Sequence, residues 1–147
     1  MVLLDNARAR FEYEISDTLV AGVVLSGGEV KSLRGKHGSL AGSFVKIIGD
    51  EMWLVNVQIS PYPYADNTEY DPKRSRKLLL KRREILKLKT EAQQKGRIMV
   101  PLRVEAMGHY IKVVIGIGRG RNSGDKRAVV KKREQDRELD RFIKGRR

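Results

Sequence analysis

The first regular pattern along the chain is an alternation. Phe11, Tyr13 and Ile15 are apolar and the intervening Glu12 and Glu14 are charged, the period of a strand with one wet face. Thr18 to Leu25 follows as a more evenly apolar strand, broken at Ser26, Gly27 and Gly28. From Glu29 to Lys36 the spacing predicts about two helical turns, with Val30 and Leu33 on one face and Gly35 and Gly38 closing the helix. Ser43 to Ile48 and Glu51 to Val57 are β-rich runs flanking Gly49 and Asp50, which predicts a hairpin. Ser60 to Pro72 holds three prolines among Tyr62, Tyr64, Asp66 and Asn67 and reads as a loop.

Lys73 to Lys81 sets Leu78, Leu79 and Leu80 between cations, and Ile85, Leu86, Leu88 and Ala92 then predict a helix over 82–94 ahead of Gly96. Ile98 to Ala106 and Tyr110 to Ile117 predict two more strands joined by Gly108 and His109, with Pro101 tolerated at an edge position. Seven strand-like runs and two short helices predict a mainly β fold, an antiparallel β-barrel that is closed or nearly closed.

After Gly118 the pattern ends. Residues 119–147 carry twelve Lys or Arg against five acids and few apolar side chains, too few to offset the entropy of ordering without a partner. The division expected is therefore a domain over 1–118 and a basic tail over 119–147 that is disordered or helical depending on its partner.

Charge changes the picture most. The whole chain has 31 Lys and Arg against 18 Asp and Glu, a formal net charge of +13, and such a surface calls for a polyanionic partner. Nucleic acid fits better than a membrane, which would call for an amphipathic basic helix or a lipid signal, and no early apolar run or terminal lipidation motif appears. The absence of cysteine removes disulfides, thiol nucleophiles and thiolate zinc sites and makes the cytoplasm the expected compartment.

Two segments carry the candidate chemistry. AGVVLSGGEVKSLRGK, from Ala21 to Lys36, sets a Gly-rich turn before a short helix whose Lys31, Ser32 and Arg34 are able to meet phosphate, although an ordinary strand–turn–helix corner fits the same spacing. DPKRSRKLLLKRREI, from Asp71 to Ile85, places Lys73, Arg74, Arg76, Lys77, Lys81, Arg82 and Arg83 around an apolar anchor, as either a phosphate track or a solvated basic face. Arg119 and Arg121 extend the set of RNA-binding cations beyond the last strand, and Tyr62, Tyr64 and Tyr70 are either stacking platforms for unpaired bases or packing. Catalysis has no comparable support. The two histidines are far apart, no nucleophile elbow or phosphate-binding loop occurs, and GIGRGR at 116–121 lacks the glycine spacing of a dinucleotide site. No metal or cofactor is expected.

Four stretches occur in a telling order: NARARFEYEI from Asn6, AGVVLSGGEVKSLR from Ala21, DPKRSRKLLLKRREI, and SGDKR at 123–127. Together they resemble the SsrA-binding protein family over nearly the whole chain. The resemblance implies a bacterial trans-translation factor, an OB-like barrel that binds the tRNA-like domain of transfer-messenger RNA and delivers it to ribosomes stalled without a usable codon. It also implies that Asn6, Glu29, Lys31, Ser32, Arg34 and the stretch from Arg76 to Leu80 belong to the RNA-recognition motifs. Asp125, Lys126 and Arg127 match the motif for the decoding centre, where small-subunit ribosomal RNA is the partner, and Arg141, Phe142, Ile143 and Lys144 match the far end of the tail. Three positions depart from the family pattern: Val20 stands where an acid is frequent, Lys81 where His or Asn is frequent, and Gly124 where a stacking ring is frequent.

The expected mechanism has the barrel grip RNA through backbone charge and shape. The tail enters an empty mRNA channel, with Lys131, Lys132, Arg133, Arg137 and Arg141 facing its phosphates, and folds there into a helix. The chain is expected to be monomeric on RNA. A ribosomal or general RNA-chaperone protein is the alternative, and an RNA-processing nuclease would need an acid cluster or histidine pair.

Overall fold

The structure, a computed structural model, describes residues 1–121 together with Glu134 and Arg137. Its elements run β1 (Val2–Asp5), α1 (Ala7–Glu12), β2 (Tyr13–Val23), α2 (Gly27–Arg34), β3 (Gly38–Ser39), β4 (Phe44–Ile48), β5 (Glu51–Val55), β6 (Gln58–Ile59), β7 (Arg76–Leu79), α3 (Arg82–Lys95), β8 (Ile98–Met107) and β9 (Tyr110–Gly120). Seven strands make one antiparallel sheet in the order β1-β8-β9-β2-β7-β5-β4, and β3 pairs with β6 separately.

The sheet curls because the register slips at three places, between Val2 and Leu4, between Ile15 and Asp17, and between Pro101 and Arg103. Extra residues of this kind bend a strand and increase its twist. The curl carries the far edge β4 round to pack on β8, but the sheet's ladder ends at β4. Among the described residues the barrel is thus nearly closed, with a seam between β4 and β8 in place of a last row of hydrogen bonds.

Alternation decides which side chains fill the interior. Met52 and Leu54 of β5, Leu78 of β7, and Val113, Ile115 and Ile117 of β9 point inward to meet Leu33 of α2 and Leu3 of β1. Ile85 and Leu88, three apart on α3, join the same core. β9 reads as a continuous apolar run because its outer face is also covered: Val114 packs with Ala9 of α1 and with Val100 and Leu102.

The hairpin forms at the expected place, with Gly49 at φ +63°, and α3 and the β8–β9 pair also form as expected. Other elements differ: β1 was not expected, and the runs expected at 11–15 and 18–25 form one strand, β2. Phe11 lies in α1, not in a strand, and the alternating pattern begins only at Tyr13. The helix wins because it lays Ala9 onto the outer face of β8 and β9. Pro101 lies in β8 opposite Ile115 of β9, at a bulge, and ahead of the stretch 103–105 that β1 pairs, so no strand is laddered to its other side. β9 continues to Gly120, opposite Tyr13, two residues beyond the expected end of the domain at Gly118. No helix among the described residues is long and apolar enough to cross a membrane.

Candidate nucleic-acid interface

Ser26 caps α2 with a reciprocal pair: its hydroxyl accepts from the Glu29 N–H at 3.2 Å, and its own N–H donates to Glu29 Oε1 at 3.0 Å. The cap holds the Glu29 carboxylate at the root of the helix, facing β7 and the loop before it. Arg76 Nε donates to Glu29 Oε2 at 2.6 Å, and Arg74 Nη2 donates to Glu29 Oε1. The rest of the Arg76 guanidinium is spent on carbonyls of Val57 (2.6 Å), Arg74 (3.0 Å) and Pro72 (3.0 Å) and on the Tyr70 hydroxyl (3.2 Å). Every N–H of the guanidinium thus has an acceptor, which is the condition for burying it.

Burial alone raises the Glu29 carboxyl, but the hydrogen bonds from Ser26, Arg74 and Arg76 and the charge of Arg76 outweigh it. The group is held below its ordinary value and stays ionised at neutral pH. The Tyr70 hydroxyl is pushed up by burial and by the Glu29 charge, remains protonated, and donates to the Ile59 carbonyl at 2.8 Å.

The node buries three of the residues expected in the RNA-recognition motifs. Arg76 exposes 0% of its surface, Glu29 1% and Ser32 2%. Ser32 donates to the Ser60 carbonyl at 2.7 Å and pins α2 to the proline-rich loop. Asn6 is likewise occupied, its side chain donating to the Pro101 carbonyl at 2.9 Å and its backbone N–H to that of Leu102 at 2.8 Å. These four hold the scaffold that presents the others.

What they present is a basic surface. Lys31 lies 5.3 Å from the centre of the Tyr62 ring, and Tyr62 meets Tyr64 edge to face at 5.5 Å. Tyr64 is 88% exposed, whereas Tyr70 is packed into the node. Arg34 reaches the His109 carbonyl at 3.4 Å. Lys73, Lys81 and Arg83 are exposed with no ion pair among the described residues, Arg74 is partly exposed on the carboxylate of Glu29, and Lys77 pairs loosely with Glu51 at 3.3 Å. At the far end Arg119 pairs with Glu14 at 2.9 Å, and Arg121 donates to the Tyr13 carbonyl at 3.3 Å.

One row escaped the sequence reading. Register puts Lys46 of β4, Trp53 of β5 and Lys77 of β7 side by side on one face. The hairpin centred on Gly49 and Asp50 already implied the first pair, but the third member depends on β7 joining β5 from 24 residues downstream of Trp53. Asp125, Lys126, Arg127, Lys131, Lys132, Arg133, Arg141, Phe142, Ile143 and Lys144 lie outside the described residues, and Arg137 is helical and exposed.

The SmpB protein family model matches residues 3–145. The chain belongs to the SmpB family. It is 44% identical over 143 residues to the SsrA-binding protein of Streptococcus mutans, covering 97% of this chain and 92% of that protein. With the SsrA-binding protein of Enterococcus hirae it shares 43% identity over 144 residues, 98% of this chain and 94% of the relative. A solved SmpB chain from a structure described as "tmRNA-SmpB: a journey to the center of the bacterial ribosome" superposes with a TM-score of 0.67 at 39% identity, covering 86% of this chain and 92% of that one. The node from Glu29 to Arg76 and the basic surface beside it are therefore parts of an SmpB fold.

Proposed function

We propose that this chain binds transfer-messenger RNA through the surface around α2, the tyrosine loop and β7, and brings it to ribosomes stalled on truncated message. The observation that carries the reading is the match, along nearly the full chain, to an SmpB chain described together with tmRNA and the bacterial ribosome. The geometry supports it. A buried, fully bonded ion pair anchors the loop and β7 to α2, so that Lys31, Arg34, Lys73, Lys81 and Arg83 project from a rigid base. Rigid placement lowers the entropy lost on contact with RNA, and phosphate contacts supply affinity.

The chain acts by binding and not by catalysis, in the cytoplasm, as a monomer on its RNA. Its tail reads the decoding centre with Asp125, Lys126 and Arg127 and follows the empty mRNA channel with the cations beyond. The division of labour fits the charge: twelve of the 31 cations lie in residues 119–147. Sequencing the RNA that co-purifies with the chain tests the reading. Strong enrichment of transfer-messenger RNA over ribosomal and messenger RNA is the expected result, and an even spread over cellular RNA would favour a general RNA chaperone.

A further inference from the structure

The seam where the barrel stops short of closure is packed only in part, Val45 of β4 and Met99 of β8 sharing the core there. Between β4, the end of α3 and the start of β8 lies an open cleft of about 420 Å³, large enough for a nucleobase and its sugar. Its lining is largely apolar, with Ile47, Ile98 and Met99 beside the aromatic residues Tyr13 and Phe44. A smaller depression lined by Asn6, Arg8 and Glu12 shares Tyr13, Phe44 and Val100 with it, and a third, lined by Glu14 and Arg119, shares Arg97. The hollows follow one another along the seam.

Charge identifies the occupant. The cleft is rimmed by Lys46, Lys89 and Arg97, and no acid lines it. The partners of two of these cations are neutral: Lys89 reaches the Gly49 carbonyl at 3.3 Å, and Arg97 donates to Ser16 Oγ at 3.0 Å. Glu12 and Glu14, the carboxylates in the adjoining hollows, are each paired with an arginine, Arg8 at 3.7 Å and Arg119 at 2.9 Å. The seam thus presents uncompensated positive charge beside a largely apolar lining that includes Tyr13 and Phe44. β4 adds polar groups, because alternate residues of an edge strand turn their N–H and C=O away from the neighbour.

We propose that the seam between β4 and β8 is a second RNA site, which seats one base of an unpaired stretch against Tyr13 and Phe44 and its phosphates on Lys46, Lys89 and Arg97. Aromatic rings accept any base by stacking, and lysine and arginine neutralise the backbone. The chain's own tail is a poorer fit, since residues 119–147 carry twelve cations against five acids and would meet like charge. A second copy meets the same objection at a net charge of +13 per chain. The proposal rests on reading the protein as RNA-binding, and it adds a site away from the surface around α2.

The test is a titration of the ¹⁵N-labelled full chain with adenosine and uridine 5′-monophosphate at low salt, with inorganic phosphate and ribose as controls. Saturable shifts of the amides at 44–47 and 97–100 with both nucleotides, and only weak ones with the controls, are expected. Phe44→Ala should weaken nucleotide binding at least fivefold, the low end of a stacked base, and Lys46→Ala with Lys89→Ala by about tenfold. Equal shifts with inorganic phosphate would reduce the site to an anion patch and overturn the proposal. So would Overhauser contacts from residues 44–47 to Val129 or Phe142 in the ligand-free chain, which would seat the tail in the seam. Binding of the tRNA-like domain is measured beside it. If the wild-type chain binds that RNA but neither nucleotide, the seam fails and the proposed function stands; if it binds the nucleotides but not that RNA, the reverse holds.

Discussion

Arg76 Nε meets Glu29 Oε2 at 2.6 Å across 47 residues of chain, and neither side chain is exposed to solvent. Removing Glu29 leaves Arg76 an unpaired buried charge, and removing Arg76 leaves Glu29 with Arg74 as its remaining counter-charge. Breaking a comparable buried pair costs about 3–5 kcal/mol, whereas an exposed ion pair contributes about 0–1 kcal/mol.

Arg76→Ala should therefore lower unfolding stability by about 3 kcal/mol or more, while Lys77→Ala, one residue along on the exposed pair with Glu51, should change it by less than about 1 kcal/mol. Urea unfolding of the two single variants measures the contrast. Equal small losses would show that the buried pair is not coupled to folding.

The same pair sets an acid limit. The Glu29 carboxyl is held below its ordinary value of 4.5 in the fold, so the stability it contributes is complete above that value. As pH falls below 4.5 the unfolded chain takes up the proton first, and the contribution is lost as pH passes down through the folded value. Glu29→Gln should flatten this limb of the stability curve and also lower stability at pH 7, because Arg76 stays buried without its counter-charge. Thermal unfolding between pH 3 and 7 tests both, and an unchanged acid limb would assign it to other carboxylates.

Sequence patterns gave good warning of whatever is local here. The β4–β5 hairpin is written in two β-rich runs around Gly49 and Asp50, and α3 in Ile85 and Leu88 followed by Gly96. α1 was hidden because six residues ending in Phe11 and Glu12 run into a strand, so the alternation from Phe11 to Ile15 mixes two elements. The interior placement of Arg76 was hidden for another reason. A cation among six others reads as surface unless its carboxylate is known, and Glu29 sits in a different motif. The seam depends on how far three bulges bend the sheet, and no periodicity records that.

Backbone contact makes one glycine critical. A Cβ on Gly118 would stand 1.9 Å from the Glu14 carbonyl oxygen in β2, while one on Gly120, two residues on, meets nothing within 4 Å. Gly118→Ala must push β9 from β2 and should destabilise the fold by several kcal/mol, with Gly120→Ala near neutral. Calorimetry of the pair decides it. Comparable melting temperatures would mean that the two strands separate freely at this end.

The exposed cations should reveal themselves through salt. Lys73, Lys81 and Arg83 are exposed and carry no ion pair among the described residues, so each phosphate contact they make releases counterions. Replacing all three by Ala should weaken binding to the tRNA-like RNA and reduce the slope of log K against log salt by about two to three, just under one per contact. A slope equal to wild type would move the RNA interface elsewhere on the molecule.

The tail and the folded domain should come apart under truncation, provided the cut respects β9. Ending the chain after Gly118 would remove the pairing of Arg119 with Glu14 and of Gly120 with Tyr13. Ending it after Arg121 keeps both, together with the hydrogen bond from the Arg121 N–H to the Glu12 carbonyl at 2.8 Å. All buried hydrophobic residues of the described core precede that point, so the shortened chain should fold with a melting temperature close to that of the whole. It should bind transfer-messenger RNA with some loss, since ten cations go with the tail. Tagging on ribosomes carrying truncated message should nevertheless fail, because the residues assigned to the decoding centre and channel are gone. Replacing Asp125, Lys126 and Arg127 together by Ala should reproduce the tagging defect with a smaller loss of binding, as only two cations are removed. The measurement is a tagging assay run beside an RNA-binding titration on each chain. Normal tagging by the shortened chain would refute the tail's role, and parallel loss of tagging and binding would make the tail one more part of the RNA-binding surface.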